Sequence, residues 1–570
     1  MNVRFTHLAD SLVARFDPGI IDTISRPCRP RILVVADGGL NFNPASGFGL
    51  TRFLEGITVH SGVATKPILT LAYRGGVHAP GTVTIGLDTY TILNNYNFAN
   101  PTTGVNLERY DQVWLFGISG GAFTINNNEL LSLSLFMNSG GGVFATGDHA
   151  TLGRQMSGGL PRIRHMREWA SIPMGSEVPS VAVNRIDTVV DPGVNNIYEF
   201  NDQADEIPQR IYPNYKVTGA TNTTWQATVH PLMMLPGAAA TRSDNTGFTK
   251  DLDVLPDHPH ESVCYATPAG ALGGTYNLQG QNFEEFRPSV ANPAVRVGAE
   301  IVAYAVSGGR SVHNLVWKPP VRPQMFGVIS AYDGRLAQPY SGTTRPGRIV
   351  CESTWHHYVN VNLDGTGTGR TALFTMQAGV LVPGPHLLKI YAYYRNIVRW
   401  LQPANRVTCQ FLWDIAAIRF DENLIEELEG FDGLDSWDGM VAIGRTAERV
   451  LDEKRGSAAL SDTIAALLNT TGQTALGELF VTREFQETPV DTRELMLGIL
   501  GGAVVKAAQM FPINDAKAAL AGLERGVEKN AKELLRETSR VTKIGFDARI
   551  RRAEQSLAVF SDKALRKGLE

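Results

Sequence analysis

The first pattern along the chain is an alternation of short apolar runs with segments of helical periodicity. Apolar runs bounded by glycine, proline or polar residues predict buried strands at residues 31–37, 67–73, 112–117 and 143–146. Helical spacing of the apolar positions predicts helices at residues 48–57 and 128–138. Strands separated by helices that are long enough to cross over are typical of a parallel sheet. The pattern therefore predicts an α/β protein with a doubly wound, mostly parallel sheet.

The regular pattern fades between about residues 154 and 300, where Gly, Pro, Asn and Thr are frequent and apolar runs are short. A stretch of this length is too long for a structureless loop, so we expect an insertion that packs over the carboxyl edge of the sheet. Residues 299–306 then predict the last turns of a helix. Strands at residues 325–329 and 347–354 follow, and an aromatic-rich helix at residues 386–401 closes the domain.

Beyond residue 402 the apolar positions recur at helical spacing only. Helices are predicted at residues 421–428, 441–455, 461–469, 495–511 and 515–543. The predicted organisation is an N-terminal lead-in at 1–30, an α/β domain at 31–401 and an all-α C-terminal domain at 402–570. Charges of both signs alternate at i,i+4 spacing along residues 524–536, which indicates a solvated face or a surface for a helical partner. Under the second alternative, the partner includes another copy of the chain, in a homo-oligomer that assembles through the C-terminal helices.

The composition is that of an ordinary globular protein, with 43% hydrophobic and 19% charged residues and a formal net charge of -4. A mildly acidic chain does not predict nucleic-acid binding. The four cysteines lack paired spacing, which indicates a reducing compartment. The N-terminus has no signal-peptide core, and residues 495–511 fall short of the ~20 apolar residues that a spanning helix needs. We therefore expect a cytoplasmic protein that does not cross a membrane, with residues 495–511 as a buried helix.

Residues 140–151, GGGVFATGDHAT, contain the first candidate for chemistry. A short buried strand enters through three glycines and leaves through a tight turn that carries Asp148 and His149. An open α/β sheet presents reactive groups at the carboxyl ends of its strands in this way. The alternative is a glycine-rich surface turn whose Asp and His bond only to nearby backbone groups.

Residues 346–356, PGRIVCESTWH, contain the second candidate. Together the two stretches resemble the ThuA-like (trehalose-utilisation) branch of the class I glutamine amidotransferase-like superfamily. The first is similar to its glycine-rich strand with a Gly-x-His turn, and the second to its late strand that ends in a histidine. The resemblance covers residues 31–401 and implies a flavodoxin-like sheet. It also implies that His149 and His356 lie close together, since both strands end at the same edge.

The chain departs from that family at the position of the nucleophile. True glutamine amidotransferases place a cysteine in the tight turn, where this chain has His149, and no cysteine lies nearby. After His356 the usual Pro-Glu is replaced by His357 and Tyr358. Release of ammonia from glutamine by a thiolate is therefore not expected.

Two chemistries are open to a pair formed by His149 and His356. The imidazoles with a carboxylate suit a divalent metal ion, such as zinc, that activates water. Alternatively, one neutral histidine acts as a base and a carboxylate such as Asp148 orients it, without a metal. Further candidate neighbours are Asp37, which also suits a cap on the Gly38–Gly39 turn, Glu352, and His357, which also suits a core position beside Trp355.

The insertion contains one polar cluster, residues 256–261 with the sequence PDHPHE. His258 and His260 lie on one side of an extended chain and, with Glu261, are candidates to complete a metal site. The same segment is also a common type of turn.

Two functions follow from these residues. The first is a hydrolase that acts on a small polar substrate, such as a sugar derivative, with Asp148, His149 and His356 as catalytic residues; the substrate class is implied by the resemblance alone. The second is a non-catalytic scaffold whose α/β domain binds a ligand and whose helices assemble with a partner.

Overall fold

The computed structural model describes most of the α/β region and two long helices beyond it. The described residues are 29–59, 66–75, 78–99, 106–119, 125–148, 151–169, 208–218, 226–234, 241–242, 252–256, 262–307, 324–364, 373–404, 436–455 and 492–510, with scattered positions at 406–428 and 536–555. The chain divides into two compact units, Arg29–Pro403 and a second that contains the described helices beyond Ala404.

The first unit begins with the four strands and two helices that the sequence predicts and with two further strands, at residues 81–85 and 88–93, that it does not predict. Its elements are β1 (Arg31–Asp37), α1 (Thr51–Thr58), β2 (Ile68–Arg74), β3 (Gly81–Ile85), β4 (Asp88–Leu93), β5 (Gln112–Phe116), α2 (Asn127–Asn138) and β6 (Gly142–Thr146). Helix α2 begins where the sequence supplies a capping box, in which Asn126 and Glu129 each bond to the other's backbone N–H. Strands β1, β5 and β6 are buried almost throughout, because their apolar runs face helices or other packed segments on both sides.

The region of the predicted insertion forms short elements. They are β7 (Gln209–Arg210), β8 (Tyr212–Pro213), β9 (Lys216–Thr218), β10 (Gln226–Thr228), β11 (Thr241–Arg242), β12 (Val254–Leu255), α3 (Ala269–Leu272), β13 (Thr275–Leu278) and β14 (Gln281–Glu284). Most of these strands pair with one another in small antiparallel sheets, whereas β8 joins the edge of the main sheet.

Three longer strands complete the main sheet, namely β15 (Glu300–Ser307), β16 (Gln324–Tyr332) and β17 (Ile349–Glu352). The prediction of a helix at residues 299–306 is therefore wrong, since β15 pairs antiparallel with β16. Ile301, Val302 and Val306 are β-branched and favour a strand. A short apolar run without caps does not distinguish a buried helix from a strand, and pairing with β16 decides it.

The first unit ends with the hairpin β18 (Phe374–Gln377) and β19 (Val380–Pro383), followed by α4 (Pro385–Trp400). Proline is favoured at the first position of a helix, where its missing N–H is not needed. Helix α4 packs closely on α1, because Gly56 leaves room for the ring of Tyr391.

The ten strands of the main sheet follow the order β3-β4-β2-β1-β5-β6-β17-β16-β15-β8. All neighbours from β4 to β17 are parallel, and the pairs at both edges are antiparallel. Successive strands run outward from β1 in one direction through β2 and in the other through β5 and β6. The carboxyl ends of β1, β5, β6 and β17 therefore lie side by side at one edge, where open α/β sheets bind their ligands.

The second unit contains α5 (Trp437–Arg455) and α6 (Thr492–Met510), which pack against each other. Their backbones approach closely where Gly444 and Gly501 face the partner helix, since a side chain at either position would overlap it. The described part of α6 is buried along most of its length, as the sequence predicts. No described helix has both the length and the apolar character needed to cross a membrane. The predicted helix at 461–469 and most of those at 421–428 and 515–543 lie outside the described residues.

The buried carboxylate of Glu285, directly after β14, holds residues 162–165, which lead towards the carboxyl edge of the sheet. Glu285 accepts hydrogen bonds from Arg164 Nη2 at 2.6 Å and from the backbone N–H of Arg162 at 2.5 Å, and it lies 3.3 Å from His165 Nε2. Burial raises the pKa of Glu285, but the hydrogen bonds from His165 and Arg164 outweigh it and bring that pKa down to about 2. The ionised form of Glu285 therefore stabilises the fold.

We expect Glu285→Gln to lower the free energy of unfolding by about 3 kcal/mol at pH 7. Because the folded pKa is depressed, this contribution is complete above the unfolded pKa of about 4.3 and is lost as the pH falls towards 2. Urea midpoints of the wild type and of Glu285→Gln between pH 7 and pH 3 measure the effect. The difference between the two midpoints should become smaller below pH 4.5. Glu284→Gln, at a half-buried neighbouring carboxylate, is the control with a smaller effect. A difference between the midpoints that stays constant with pH would contradict the stabilising role of ionised Glu285.

Candidate active site

The site is built where two adjacent parallel strands end. Thr146 at the end of β6 lies opposite Glu352 at the end of β17. Just beyond these ends, the backbone N–H of Trp355 donates to the carbonyl of Gly147 at 2.8 Å. The two stretches that the sequence singled out therefore meet at the same edge of the sheet.

The structure brings the side chains of Asp148 and His356 together. His356 Nε2 lies 3.5 Å from Asp148 Oδ2, which is an ion-pair distance when the imidazole is protonated. The imidazole stacks on the indole of Trp355, with ring centroids 4.1 Å apart and an angle of 18° between the planes. Its side chain is 12% exposed, whereas that of Asp148 is 1% exposed. The histidine is therefore the more exposed member of the pair, although its Nδ1 atom is buried and its Nε2 atom faces the carboxylate.

The backbone of His356 is held on both sides. Its N–H donates to Thr354 Oγ1 at 3.0 Å, and its carbonyl accepts from Asn362 Nδ2 at 2.8 Å. The residue begins a 3₁₀ turn, His356–Tyr358, which follows shortly after β17. The imidazole is thus presented by a fixed turn at the end of a central strand.

Arg167 ties the two strand ends together, and sequence reasoning missed it. Its Nη2 donates to the carbonyls of Asp148 at 2.6 Å and Ser353 at 2.7 Å, and its Nη1 donates to the carbonyl of Glu168 at 2.7 Å. The guanidinium is fully buried, and this burial lowers the pKa of Arg167. It also lies over the ring of Trp169. No motif marks Arg167, which lies where the regular pattern has faded.

Three glycines let the segment after Asp148 return over the strand ends. A Cβ on Gly153 would lie 2.6 Å from the carbonyl oxygen of Gly117 and 2.7 Å from the Cα of Gly147. Gly153 also has a φ of 80°, in the left-handed region that glycine tolerates best. Residues 151–158 therefore rest directly on the ends of β5 and β6.

We expect Gly153→Ala to destabilise the first unit by about 2 kcal/mol or more, because left-handed strain adds to the overlap with Gly117 and Gly147. Thermal unfolding followed by circular dichroism measures the loss. Gly273→Ala is the matched control, since Gly273 has a φ of -83° and no atom lies within 4 Å of the place that a Cβ would take. Equal melting temperatures for the two variants would contradict the close approach.

Glu352 and His357 do not join the Asp148–His356 pair at the surface. Both side chains are fully buried, and His357 Nδ1 bonds to the Glu352 carboxylate. Residue 357 lies in the core, as one alternative predicted, but the ring that stacks on Trp355 is that of His356.

Asp37 ties β1 to the loop after β5. Its Oδ1 accepts from the backbone N–H groups of Ile118 at 2.6 Å and Ser119 at 3.0 Å. Burial raises the pKa of Asp37. The Gly38–Gly39 turn is instead closed by the backbone, through Leu40 N–H and the carbonyl of Asp37. The Asp37 carboxylate is thus a link between neighbouring strand ends rather than a cap on its own turn.

The remaining candidates, His149, His258, His260 and Glu261, lie outside the described residues. Within the described ranges no group of three or more His, Cys, Asp or Glu side chains is placed to hold a metal ion. Of the four histidines predicted as ligands, only His356 is among these residues, so the metal site stays a prediction.

Comparisons with family models, with curated proteins and with solved structures each gave no match. Function is therefore inferred from the geometry at the carboxyl edge of the sheet.

Proposed function

We propose that the protein is a hydrolase in which His356 acts as a general base and Asp148 stabilises the imidazolium that forms. The observation that carries this is the contact of 3.5 Å between His356 Nε2 and the buried carboxylate of Asp148. A histidine backed by a carboxylate is a common general-base arrangement, and the carboxylate orients the ring and offsets its charge. The position also fits, because the pair lies at the carboxyl ends of parallel strands.

In this mechanism Asp148 remains ionised and orients the ring from the Nε2 side, so the proton of the attacking water passes to Nδ1, which is buried in this structure and must become accessible when the substrate binds. The resulting imidazolium then protonates the leaving group, which restores neutral His356. Stacking on Trp355 keeps the ring in one orientation during both transfers. The fixed backbone of the turn keeps the ring near the same point at the sheet edge.

The proposal also includes the family relation, the substrate class, the role of the C-terminal region and the location of the protein. The strands β2-β1-β5-β6-β17 follow the flavodoxin-like order 2-1-3-4-5, but β4 is a sixth parallel strand beside β2 and makes the full parallel order 3-2-1-4-5-6, so the relation to the ThuA-like branch rests on the two motifs alone. On that relation the substrate is a small polar molecule, such as a sugar derivative. The region beyond residue 402 is all-α and assembles the protein as a homo-oligomer, and the protein works in the cytoplasm.

Hydrolysis of a panel of p-nitrophenyl glycosides, esters and phosphates tests the proposal. We expect the wild type to hydrolyse at least one class, and His356→Ala to lose roughly 10²–10⁴-fold in kcat. His386→Ala is the matched control, since His386 is exposed in the first turn of α4 and should keep full activity. Hydrolysis of none of the panel would favour the non-catalytic scaffold, and equal rates for both variants would show that His356 is not the base.

Metal analysis of the purified protein separates the two forms of the proposal. With a metal, His149, His258 and His260 would join His356 as ligands of a divalent ion such as zinc, and the ion would supply an activated water. Stoichiometric metal that is lost in His149→Ala supports this form. A fully active protein without metal supports the acid–base form.

A further inference from the structure

A buried polar network lies directly behind the turn that presents His356. Glu352, the last residue of β17, points to the face of the sheet that α4 covers. Its Oε1 accepts from the hydroxyls of Tyr358 at 2.7 Å and Tyr393 at 2.6 Å, and its Oε2 bonds to His357 Nδ1. The hydroxyl of Tyr394 donates to the carbonyl of His357.

The network satisfies the carboxylate of Glu352. Glu352, His357 and Tyr393 each have no exposed surface. A buried carboxylate is costly unless several donors surround it, and here three do. Burial and the neighbouring Glu352 raise the pKa of Tyr358 and of Tyr393, so both phenols remain protonated donors.

The three donors to Glu352 come from two places. His357 and Tyr358 belong to the 3₁₀ turn that begins with His356, and Tyr393 belongs to α4. The carboxylate therefore fastens the turn to the end of β17 on one side and to α4 on the other. A shift of His357 moves the adjacent His356 away from Asp148, because the two residues share a peptide bond.

We propose that Glu352 and His357 are positioning residues for His356. They touch no substrate; they hold the 3₁₀ turn so that the His356 imidazole stays against Asp148 and Trp355. This inference rests on the proposed function. It assigns a role to the histidine that follows His356 in the late motif, and it explains why a buried polar network is kept behind the sheet edge.

The test combines three variants with two measurements. His357→Leu removes the donor to Glu352, His357→Asn restores an amide donor near the position of Nδ1, and Tyr393→Phe removes one hydroxyl and keeps the ring. The first measurement is kcat and KM for the p-nitrophenyl substrate that the wild type hydrolyses. The second is the rate at which diethyl pyrocarbonate modifies His356 at pH 7, read by peptide mass, with exposed His386 as the internal reference.

We expect His357→Leu to lower kcat by about 10–100-fold with little change in KM, since a displaced base loses its alignment and not the substrate. His356 should also react severalfold faster with the reagent, because the imidazole leaves its contacts with Asp148 and Trp355. His357→Asn should restore both values towards the wild type. Tyr393→Phe should also lower kcat and raise the modification rate of His356, but by less than His357→Leu does.

Wild-type kcat and wild-type modification rates in both His357→Leu and Tyr393→Phe would overturn the inference. Failure of His357→Asn to rescue a folded His357→Leu variant would overturn it as well. If His357→Leu does not fold, Tyr393→Phe decides by the same two measurements. Failure of the proposed function gives a different result, in which His356→Ala keeps full activity while the modification rates still respond to the variants.

Discussion

Replacing Asp148 with asparagine is expected to lower kcat by roughly 10²–10⁴-fold, with a much smaller effect on KM. The carboxylate is 1% exposed and lies 3.5 Å from His356 Nε2, so it acts on the imidazole and does not meet the substrate. Asparagine has the same shape but carries no charge, and it therefore fails to stabilise the imidazolium that forms in the transition state. Steady-state kinetics with the p-nitrophenyl substrate that the wild type hydrolyses measures the loss.

A double variant shows whether the two residues act as a unit. Asp148→Asn combined with His356→Ala should be no slower than His356→Ala alone, because the carboxylate contributes only through the imidazole. Asp111→Asn is the matched control, since Asp111 is also buried but bonds to Arg31 at the amino ends of β1 and β5, on the opposite edge of the sheet. It should lower stability and leave kcat unchanged. If the fold loss of kcat in the double variant equals the product of the losses in the two single variants, Asp148 does not work through His356.

The meeting of the turns that carry Asp148 and His356 is predictable from sequence in two steps, of which only the first is local. Each residue follows a short apolar run that is typical of a buried strand, and parallel strands that neighbour each other end at one edge. That two strands roughly two hundred residues apart in sequence are neighbours does not follow from their apolar runs; it is what the family resemblance implies, and the pairing of β6 with β17 shows it in the structure. The same reasoning fails at β15, where an apolar run without caps predicts a helix and the pairing with β16 makes it a strand.

The direction of a side chain is harder to predict than its position along the chain. Glu352 and Ser353 are adjacent, and alternate residues of a strand face opposite sides of the sheet. A sequence places Glu352 near the site but does not show that its carboxylate points under α4 towards Tyr393. Asp37 is similar, because its partners Ile118 and Ser119 lie in a loop whose path the sequence pattern does not define.

The role of Arg167 is the hardest to predict from the sequence. Its hydrogen bonds go to backbone carbonyls and to the hydroxyl of Ser262, so no acidic residue at a fixed spacing reveals it. A guanidinium with five fixed donors is able to satisfy several carbonyls at once, whereas an ammonium is not. The cation therefore replaces the hydrogen bonds that neighbouring strands would supply beyond the ends of β6 and β17.

Arg167→Leu is accordingly expected to lower the free energy of unfolding of the first unit by about 3–5 kcal/mol. The carbonyls of Asp148, Ser353 and Glu168 would lose these donors in a buried place, and each loss costs about 1–3 kcal/mol. Arg167→Lys should recover only part of this, since a single ammonium cannot bridge both strand ends. Denaturant midpoints measure the series.

Arg52→Leu is the control for removal of an arginine, because the side chain of Arg52 is 44% exposed and pairs with Glu55 one turn along α1. An exposed pair of this kind contributes about 0.5 kcal/mol or less. Any folded Arg167 variant should also lose kcat, because Asp148 and the strand that leads to His356 are then no longer held at a fixed separation. A variant that is destabilised but retains full kcat would show that the contact of Asp148 with His356 does not depend on this arginine, and that Trp355 and Gly147 alone set it.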